Sequence, residues 1–238
     1  MKTRLVGVCL IFTAVSMAGE PVVVDVGAAQ ASLERLRLGN IGYQQDKMDP
    51  ARVCAARRAA LVAGQHPFAT VLTCADSRVP PEAIFNQGLG DIFVVRTAGA
   101  VADEAVLGSI EYAAEHLHVP LVVVMGHTSC GAVKAAMETP APDHVDAIHA
   151  NLERILAAIR PSLKRAWATG DPWRSAVYAS VDGNLAEVVH HSPVLAHLGA
   201  DGKVMFVGAV YELETGKVNF TDALSFGRHV QVSTATTH

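Results

Sequence analysis

Residues 68–78 read F-A-T-V-L-T-C-A-D-S-R, an apolar run that ends in a cysteine and then turns polar. A second apolar run, L-V-V-V-M-G-H, occupies residues 121–127, and a third, D-I-F-V-V-R, occupies residues 91–96. Each run has the length of a strand rather than a helix, and each contains β-branched residues. We therefore predict three buried strands at these positions, the first over residues 68–74.

Helical patterns alternate with these strands. Apolar side chains recur at helical spacing over residues 103–117, between the second and third strands along the chain. Such alternation favours parallel strands joined by right-handed crossovers. A later apolar run, residues 204–213, turns at Thr215-Gly216 into residues 217–220, which predicts a hairpin. The predicted fold is α/β, a mostly parallel sheet of four to five strands flanked by helices.

The chain before the first strand is predicted to be helical. Residues 29–38 form one helix with Gly39 as its C-cap, and residues 51–63 form another. Because this region is weak as an independent unit, we interpret residues 28–63 as an N-terminal helical arm. Later helices are predicted over residues 145–167 and 176–198.

The N-terminus has the pattern of a signal peptide. A short basic start precedes an apolar run over residues 5–15, about half the length that a bilayer span needs. Small residues follow at Ser16 and Ala18, where a signal peptidase cleaves. We predict a signal peptide over residues 1–18 and export to the periplasm or the medium. Residues 19–238 show no repeat or low-complexity linker and are interpreted as a single domain.

The composition excludes some partners. Of 238 residues, 50% are hydrophobic and 18% are charged, so a sizeable core is available. The net charge of -4 is not concentrated in a long run of one sign. We therefore expect no nucleic-acid partner and, after signal cleavage, no membrane partner. The composition is compatible with a small-molecule substrate.

Two predicted strands end in residue types that bind metals. Cys74 ends the first and His127 ends another, with Cys130 at the start of the following helix. The carboxyl ends of parallel strands meet at one edge of a sheet, where sites form. Thiolate and imidazole ligands suit zinc, and three protein ligands leave the fourth position open, as in catalytic sites. Although the H-x-x-C spacing alone is weak, together these residues predict one Zn²⁺ per chain.

Asp76 and Arg78 follow the first of these cysteines directly. On its own the pair reads as an ordinary salt bridge in a turn. Beside a metal, the arginine can hold the carboxylate in a bidentate pair and orient it. After signal cleavage an odd number of cysteines remains, which argues against a disulfide framework. The cysteine that the metal leaves over is Cys54, which we expect to be a small core residue on a helix.

Four blocks of the sequence resemble the signature blocks of β-carbonic anhydrases, and the resemblance covers nearly all of the mature chain. It implies that Cys74, His127 and Cys130 bind zinc and that Asp76 and Arg78 form the family's carboxylate–guanidinium dyad. The blocks are G-Q-H-P-F-A-T-V-L-T-C-A-D-S-R-V-P-P-E, G-D-I-F-V-V-R-T-A-G, I-E-Y-A-A-E-H-L and G-H-T-S-C-G-A-V-K.

The same resemblance implies roles for five further residues. Gln65 matches a glutamine that hydrogen-bonds substrate from across the dimer interface, and Phe93 matches an aromatic residue of the substrate pocket. Tyr112 and His116 match a tyrosine and a histidine linked to proton release. The backbone N–H of Gly131 corresponds to a position near the bound anion.

The chain departs from the family pattern at two positions. Ala100 stands where many members have asparagine, which removes an amide close to the site. Val71 stands where a regulated subgroup with an inactive bicarbonate-bound state has tryptophan, so this chain is unlike that subgroup. The sequence leaves open whether Asp76 itself closes the zinc site as a fourth ligand.

The resemblance implies reversible hydration of carbon dioxide to bicarbonate and a proton by zinc-bound hydroxide, in a homodimer or larger homo-oligomer. One alternative is a hydrolase of carbon disulfide or carbonyl sulfide on the same scaffold, which keeps the same zinc and dyad residues. A non-enzymatic bicarbonate-binding or structural zinc protein is the other. It would be expected to lose Asp76, Arg78 or the open ligand position, and here all are intact.

Overall fold

A computed structural model describes residues 26–139, 141–142, 150–164 and 170–226. The predicted signal peptide lies outside the described residues, as do the ends of the helix predicted over residues 145–167.

One five-stranded sheet forms the centre of the fold. Its strands are β1 (Ala69–Cys74), β2 (Ile92–Thr97), β3 (Leu121–His127), β4 (Met205–Tyr211) and β5 (Val218–Ala223). They lie in the order β2-β1-β3-β4-β5. The first four are parallel, and β5 pairs with β4 in antiparallel orientation. The α/β class, the mostly parallel sheet and the terminal hairpin are confirmed.

Eight helices connect and cover the strands in the described part of the chain. They are α1 (Val26–Gln44), α2 (Ala55–Ala60), α3 (Pro81–Ile84), α4 (Glu104–Glu115), α5 (Gly131–Glu138), α6 (Ala150–Leu163), α7 (Pro172–His190) and α8 (Pro193–Ala200). Short 3₁₀ turns occur at Pro50–Val53 and Ala98–Ala100. None of these helices has both the length and the apolarity that a membrane span requires.

The central strand β3 is buried on both faces, which explains its unbroken apolar sequence. Leu121, Val123 and Met125 pack into a cluster with residues of α1 and α3. Val122 and Val124 point the opposite way, into a cluster with residues of α4, α7 and α8. Because both faces of β3 are covered, polar functional side chains can reach solvent only at the ends of the strand.

The first helix is longer than predicted. Gly39 does not end it; α1 continues to Gln44. A Cβ at Gly39 would lie 1.8 Å from the carbonyl oxygen of Phe85, so the glycine allows close packing of α1 on the chain after α3. The next residue, Asn40, is 3% exposed and hydrogen-bonds to neighbouring segments. Gly39, which resembles a helix C-cap in the sequence, is therefore explained by the close packing of α1.

The second part of the arm is shorter than the predicted helix over residues 51–63. It consists of a 3₁₀ turn followed by α2, which ends at Ala60. Cys54 lies between the two and is exposed, so its prediction as a core residue was wrong. Asp49 caps the 3₁₀ turn by accepting a hydrogen bond from the N–H of Ala51, 3.0 Å away. A local cap, which periodicity does not reveal, sets this boundary.

The helix predicted over residues 176–198 is two helices, α7 and α8. Ser192 breaks the run: its Oγ accepts a hydrogen bond from the N–H of Leu195 at 3.1 Å and so caps α8. Pro193 follows as the first residue of α8, where its missing N–H is tolerated.

A charged cluster ties the arm to the start of β2. The carboxylate of Asp91 pairs with Arg35 of α1 at 3.1 Å, with Arg57 of α2 at 3.0 Å and with Arg52 at 3.6 Å. It also accepts a hydrogen bond from the N–H of Gly88 at 2.8 Å. One acidic residue thus connects both helices of the arm to the edge of the sheet.

Candidate metal centre

The three predicted ligands meet at the carboxyl edge of the sheet. Cys74 ends β1, His127 ends the neighbouring β3, and Cys130 is the N-cap of α5. All three are buried, and their donor atoms lie within 4.8 Å of one another. This spacing suits one small, borderline-soft cation held by two sulfurs and a nitrogen.

The imidazole of His127 is oriented for ligation. Its Nδ1 lies 2.9 Å from the carbonyl oxygen of Thr128, so Nδ1 carries the proton and donates it. The other nitrogen, Nε2, is buried and has no hydrogen-bond partner among the described residues. A buried polar atom without a partner costs about 1–3 kcal/mol. Nε2 and the two sulfurs could hold a metal ion, which would supply the missing partner, and the Thr128 carbonyl is a typical outer-shell contact for a histidine that binds a metal.

The two thiols interact directly. A hydrogen bond between Cys130 and Cys74 lowers the pKa of Cys74 to about 4, and the same bond raises the pKa of Cys130 above its ordinary range. The N–H of Gly99 also donates to Sγ of Cys74, at 3.3 Å. Cys74 is therefore the more acidic of the two thiols, and binding of a divalent metal would displace the proton from any cysteine that ligates it.

The dyad forms as predicted beside these ligands. Arg78 donates from Nε to Oδ1 of Asp76 at 2.9 Å and from Nη2 to Oδ2 at 2.7 Å. The N–H of Arg78 adds a third hydrogen bond to Oδ1. These bonds hold the pKa of Asp76 well below its usual range, so it is a carboxylate at neutral pH. Oδ2 of Asp76 lies 3.8 Å from Nε2 of His127, which places this carboxylate at the opening of the metal centre.

The end of β2 supports the first ligand, and sequence reasoning missed this role. Arg96 donates from Nε to the carbonyl oxygen of Cys74 at 3.1 Å and from Nη2 to that of Asp76 at 2.6 Å. The N–H of Ala75 donates to the carbonyl of Thr97 at 2.9 Å. In the sequence, Arg96 is visible only as a charged residue at the end of an apolar run. Its hydrogen-bond partners depend on the register of β1 against β2, which the sequence does not show.

Gly99 and Ala100 turn the chain beside Cys74 with two consecutive left-handed residues. Their φ angles are 71° and 56°. For a residue with a Cβ, the left-handed region costs roughly 1–2 kcal/mol. Asparagine adopts it more readily than alanine does. The departure from the family pattern at Ala100 therefore removes an amide and leaves a less favourable residue in a buried, strained position.

The other predicted site residues lie in three places. Phe93, Tyr112 and His116 form an aromatic row along β2 and α4, with ring centroids 6.3 Å apart for the first pair and 5.3 Å for the second. Gln65 is exposed in the segment between α2 and β1. Gly131 begins α5, and the space where its Cβ would lie is open. The first three residues are brought together; Gln65 faces outward, away from the core of its own chain.

A buried Cys-His-Cys set at the carboxyl edge of a parallel sheet, beside a carboxylate fixed by arginine, defines a candidate catalytic metal centre on an α/β fold. The family described as "Carbonic anhydrase" matches residues 69–218. Carbonic anhydrase 2 of Mycobacterium tuberculosis is 39% identical over 198 residues, which cover 81% of this chain and 92% of that protein. The carbonic anhydrase of Mycolicibacterium smegmatis is 42% identical over 170 residues, covering 71% and 81%.

Solved structures give the same result for the fold. The Coccomyxa β-carbonic anhydrase in complex with acetazolamide superposes with a TM-score of 0.63 at 26% identity, covering 72% of this chain and 81% of that one. The β-carbonic anhydrase CafA of Aspergillus fumigatus gives 0.57 at 26% identity, covering 81% and 90%. The chain belongs to the β-carbonic anhydrase family, and the resemblance seen in the sequence is confirmed.

Proposed function

We propose that this protein catalyses the reversible hydration of carbon dioxide to bicarbonate and a proton, with one zinc ion per chain held by Cys74, His127 and Cys130. Membership in the carbonic anhydrase family supports the reaction. The observation that carries the zinc site is the buried Nε2 of His127, which has no hydrogen-bond partner in the described part of the chain, in a group whose donor atoms lie within 4.8 Å of one another.

A zinc ion lowers the pKa of a water that it binds, to about 7 in the three-histidine carbonic anhydrases, and so supplies hydroxide near neutral pH. Asp76, kept ionised by Arg78, accepts a hydrogen bond from the attacking oxygen and orients it. The N–H of Gly131 points out of the first turn of α5, where an N-terminus favours an anion such as bicarbonate. Phe93 supplies an apolar wall, and Gln65 positions a substrate oxygen.

The proton then has to reach solvent. His116 and Tyr112 are exposed and in ring contact at 5.3 Å, so they offer a path from the aromatic row to water. Asp76 offers a second path at the opening of the centre. We assign the release step to these groups, with His116 as the terminal proton carrier because its exposed imidazole is in ring contact with Tyr112.

The functional unit in this proposal is a homodimer or a larger homo-oligomer. β2 is an edge strand, and an unpaired edge is usually covered in native proteins. The arm also carries exposed apolar side chains, among them Leu38 and Ile41 of α1, which favour a protein partner. Association of two copies allows the outward-facing Gln65 of one to serve the site of the other.

The mature protein in this proposal is a single domain over residues 19–238, exported after removal of residues 1–18. The basic start, short apolar run and small residues before the proposed cleavage site support this location.

The test compares wild-type mature protein with Cys130→Ala and, as a matched control, Cys54→Ala. Zinc content and the rate of carbon dioxide hydration by stopped flow are measured for each. We expect one zinc per chain and fast hydration in wild type and in Cys54→Ala, because Cys54 is exposed outside the site. Both should be lost in Cys130→Ala. A wild type without zinc would contradict the proposal at its base.

Hydrolysis of carbon disulfide or carbonyl sulfide is less favoured, since the relatives described above carry the name carbonic anhydrase. Full zinc content without carbon dioxide hydration between about pH 7 and pH 9 would revive it. Relative rates on the three substrates then decide between them.

A further inference from the structure

The three residues Cys74, Ala75 and Asp76 join the first ligand to the dyad, and their backbone is held from one side by β2. The carbonyls at both ends of this tripeptide accept hydrogen bonds from Arg96, at 3.1 and 2.6 Å. Between them, the N–H of Ala75 donates to Thr97 at 2.9 Å. Two of the three peptide groups that run from Cys74 to Ser77 are thus held by two consecutive residues of the edge strand.

The strand register explains why Arg96 can do this. β1 and β2 pair Thr73 with Arg96 and Cys74 with Thr97, so Arg96 leaves the edge strand level with the last residues of β1. A guanidinium presents its donors in a rigid fork, which can reach two carbonyls two residues apart at once. A lysine ammonium is a single point on a flexible stem and cannot hold both in a fixed geometry.

We propose that Arg96 is a positioning residue of the metal centre: it fixes the distance between Cys74 and Asp76, and through that spacing it sets zinc affinity. In the described part of the chain, the side-chain hydrogen bonds of Arg96 go to these two backbone carbonyls and not to a ligand atom or a dyad oxygen. The inference rests on the proposed zinc-dependent function. Outer-shell partners of metal sites typically contribute about 10–100-fold in metal affinity or activity.

The experiment measures zinc affinity by chelator competition on the full mature protein, for wild type, Arg96→Met and Arg96→Lys. We expect Arg96→Met to bind zinc about 10–100-fold more weakly and Arg96→Lys to fall between the two. The cobalt(II)-substituted proteins provide a second measurement, because their d–d and thiolate charge-transfer bands report ligand geometry. Arg96→Met should shift these bands relative to wild type.

Arg57→Met is the matched control. Like Arg96, Arg57 donates to a backbone carbonyl, that of Leu89 at 2.9 Å, and in addition it pairs with the carboxylate of Asp91. Its partners precede β2 and lie at the amino edge of the sheet, opposite the metal centre. This variant should keep wild-type zinc affinity and cobalt bands.

Three results would overturn the inference. Wild-type affinity and spectrum in Arg96→Met would show that the backbone contacts do not act on the metal. Full recovery in Arg96→Lys would show that charge alone is needed, and an equal loss in Arg57→Met would show general destabilisation. If the wild type itself does not bind zinc, the proposed function is overturned. This outcome is distinct from the three results above, which overturn only the role of Arg96. If Arg96→Met does not fold, Arg96→Lys carries the test.

Discussion

Asn40 is the best place to measure how firmly the arm is held. Its amide donates to the carbonyls of Ile84 at 3.1 Å and Gly216 at 2.8 Å. Its oxygen accepts from the N–H of Val218 at 2.9 Å and from Nε2 of Gln44 at 2.8 Å. One buried side chain therefore joins α1 to the end of α3 and to the β4–β5 hairpin.

Replacing Asn40 by alanine leaves the buried N–H of Val218 and the buried carbonyl of Ile84 without these partners. An unsatisfied buried donor costs about 1–3 kcal/mol, and the loss of a typical hydrogen bond adds about 1 kcal/mol. Alanine is the better helix former by a few tenths of a kcal/mol, which offsets part of this. We expect a net loss of about 3 kcal/mol, equivalent to a fall of roughly 6–12 °C in Tm for a chain of this size.

The assay is thermal and urea unfolding followed by circular dichroism, at one fixed protein concentration because association shifts apparent stability. Asn151→Ala is the control, since Asn151 is an exposed asparagine on α6 and the same change in helix propensity applies. Its stability should change by less than about 0.5 kcal/mol. A loss in Asn40→Ala no greater than in Asn151→Ala would refute the claim that these hydrogen bonds fasten the arm.

Two further predictions concern charge. Arg174 hydrogen-bonds to Glu212 at 2.6 Å and lowers the pKa of Glu212. Because the folded-state pKa is the lower one, the pair stabilises the protein fully above the unfolded-state pKa of about 4.3. This stabilisation is lost as the pH falls through the folded-state pKa. At neutral pH the free energy of unfolding of wild type should exceed that of Glu212→Gln by less than about 1 kcal/mol. Urea unfolding at about pH 3 should show a smaller difference between the two proteins; an unchanged difference would contradict this prediction. Asp91→Asn removes the charge that three half-exposed arginines share and should cost about 1–2 kcal/mol at low salt. Urea unfolding in about 1 M salt should show a smaller loss, and an equal loss at both salt concentrations would exclude a mainly electrostatic role.

The sequence was sufficient to predict the sheet and the convergence of the three candidate ligands, for a physical reason. Buried parallel strands are short apolar runs, and the residue at which such a run ends lies at the edge where sites form. Cys74 and His127 are those residues, and Cys130 follows from the start of the next helix. The dyad followed from adjacency, since Asp76 and Arg78 are two positions apart and bond within one turn.

What the sequence did not reveal depends on contacts distant along the chain. Gly39 resembles a helix end, but its reason is the carbonyl of Phe85 against the helix. Arg96 resembles an ordinary charged strand end, and only the register of β1 against β2 shows that it faces two carbonyls of the ligand segment. Likewise, Cys54 has the residue type of a core position but lies between two short helical pieces, exposed.

The same strand, β2, is both the rim of the sheet and the support of the first ligand. If subunits associate along that rim, as proposed above, association and occupation of the metal centre involve the same structural element. If contact between subunits steadies Arg96 and Gly99, it strengthens zinc binding by some factor, and zinc must strengthen association by that same factor. An enzyme built this way would retain its metal best when assembled and release it most readily as separate, dilute chains.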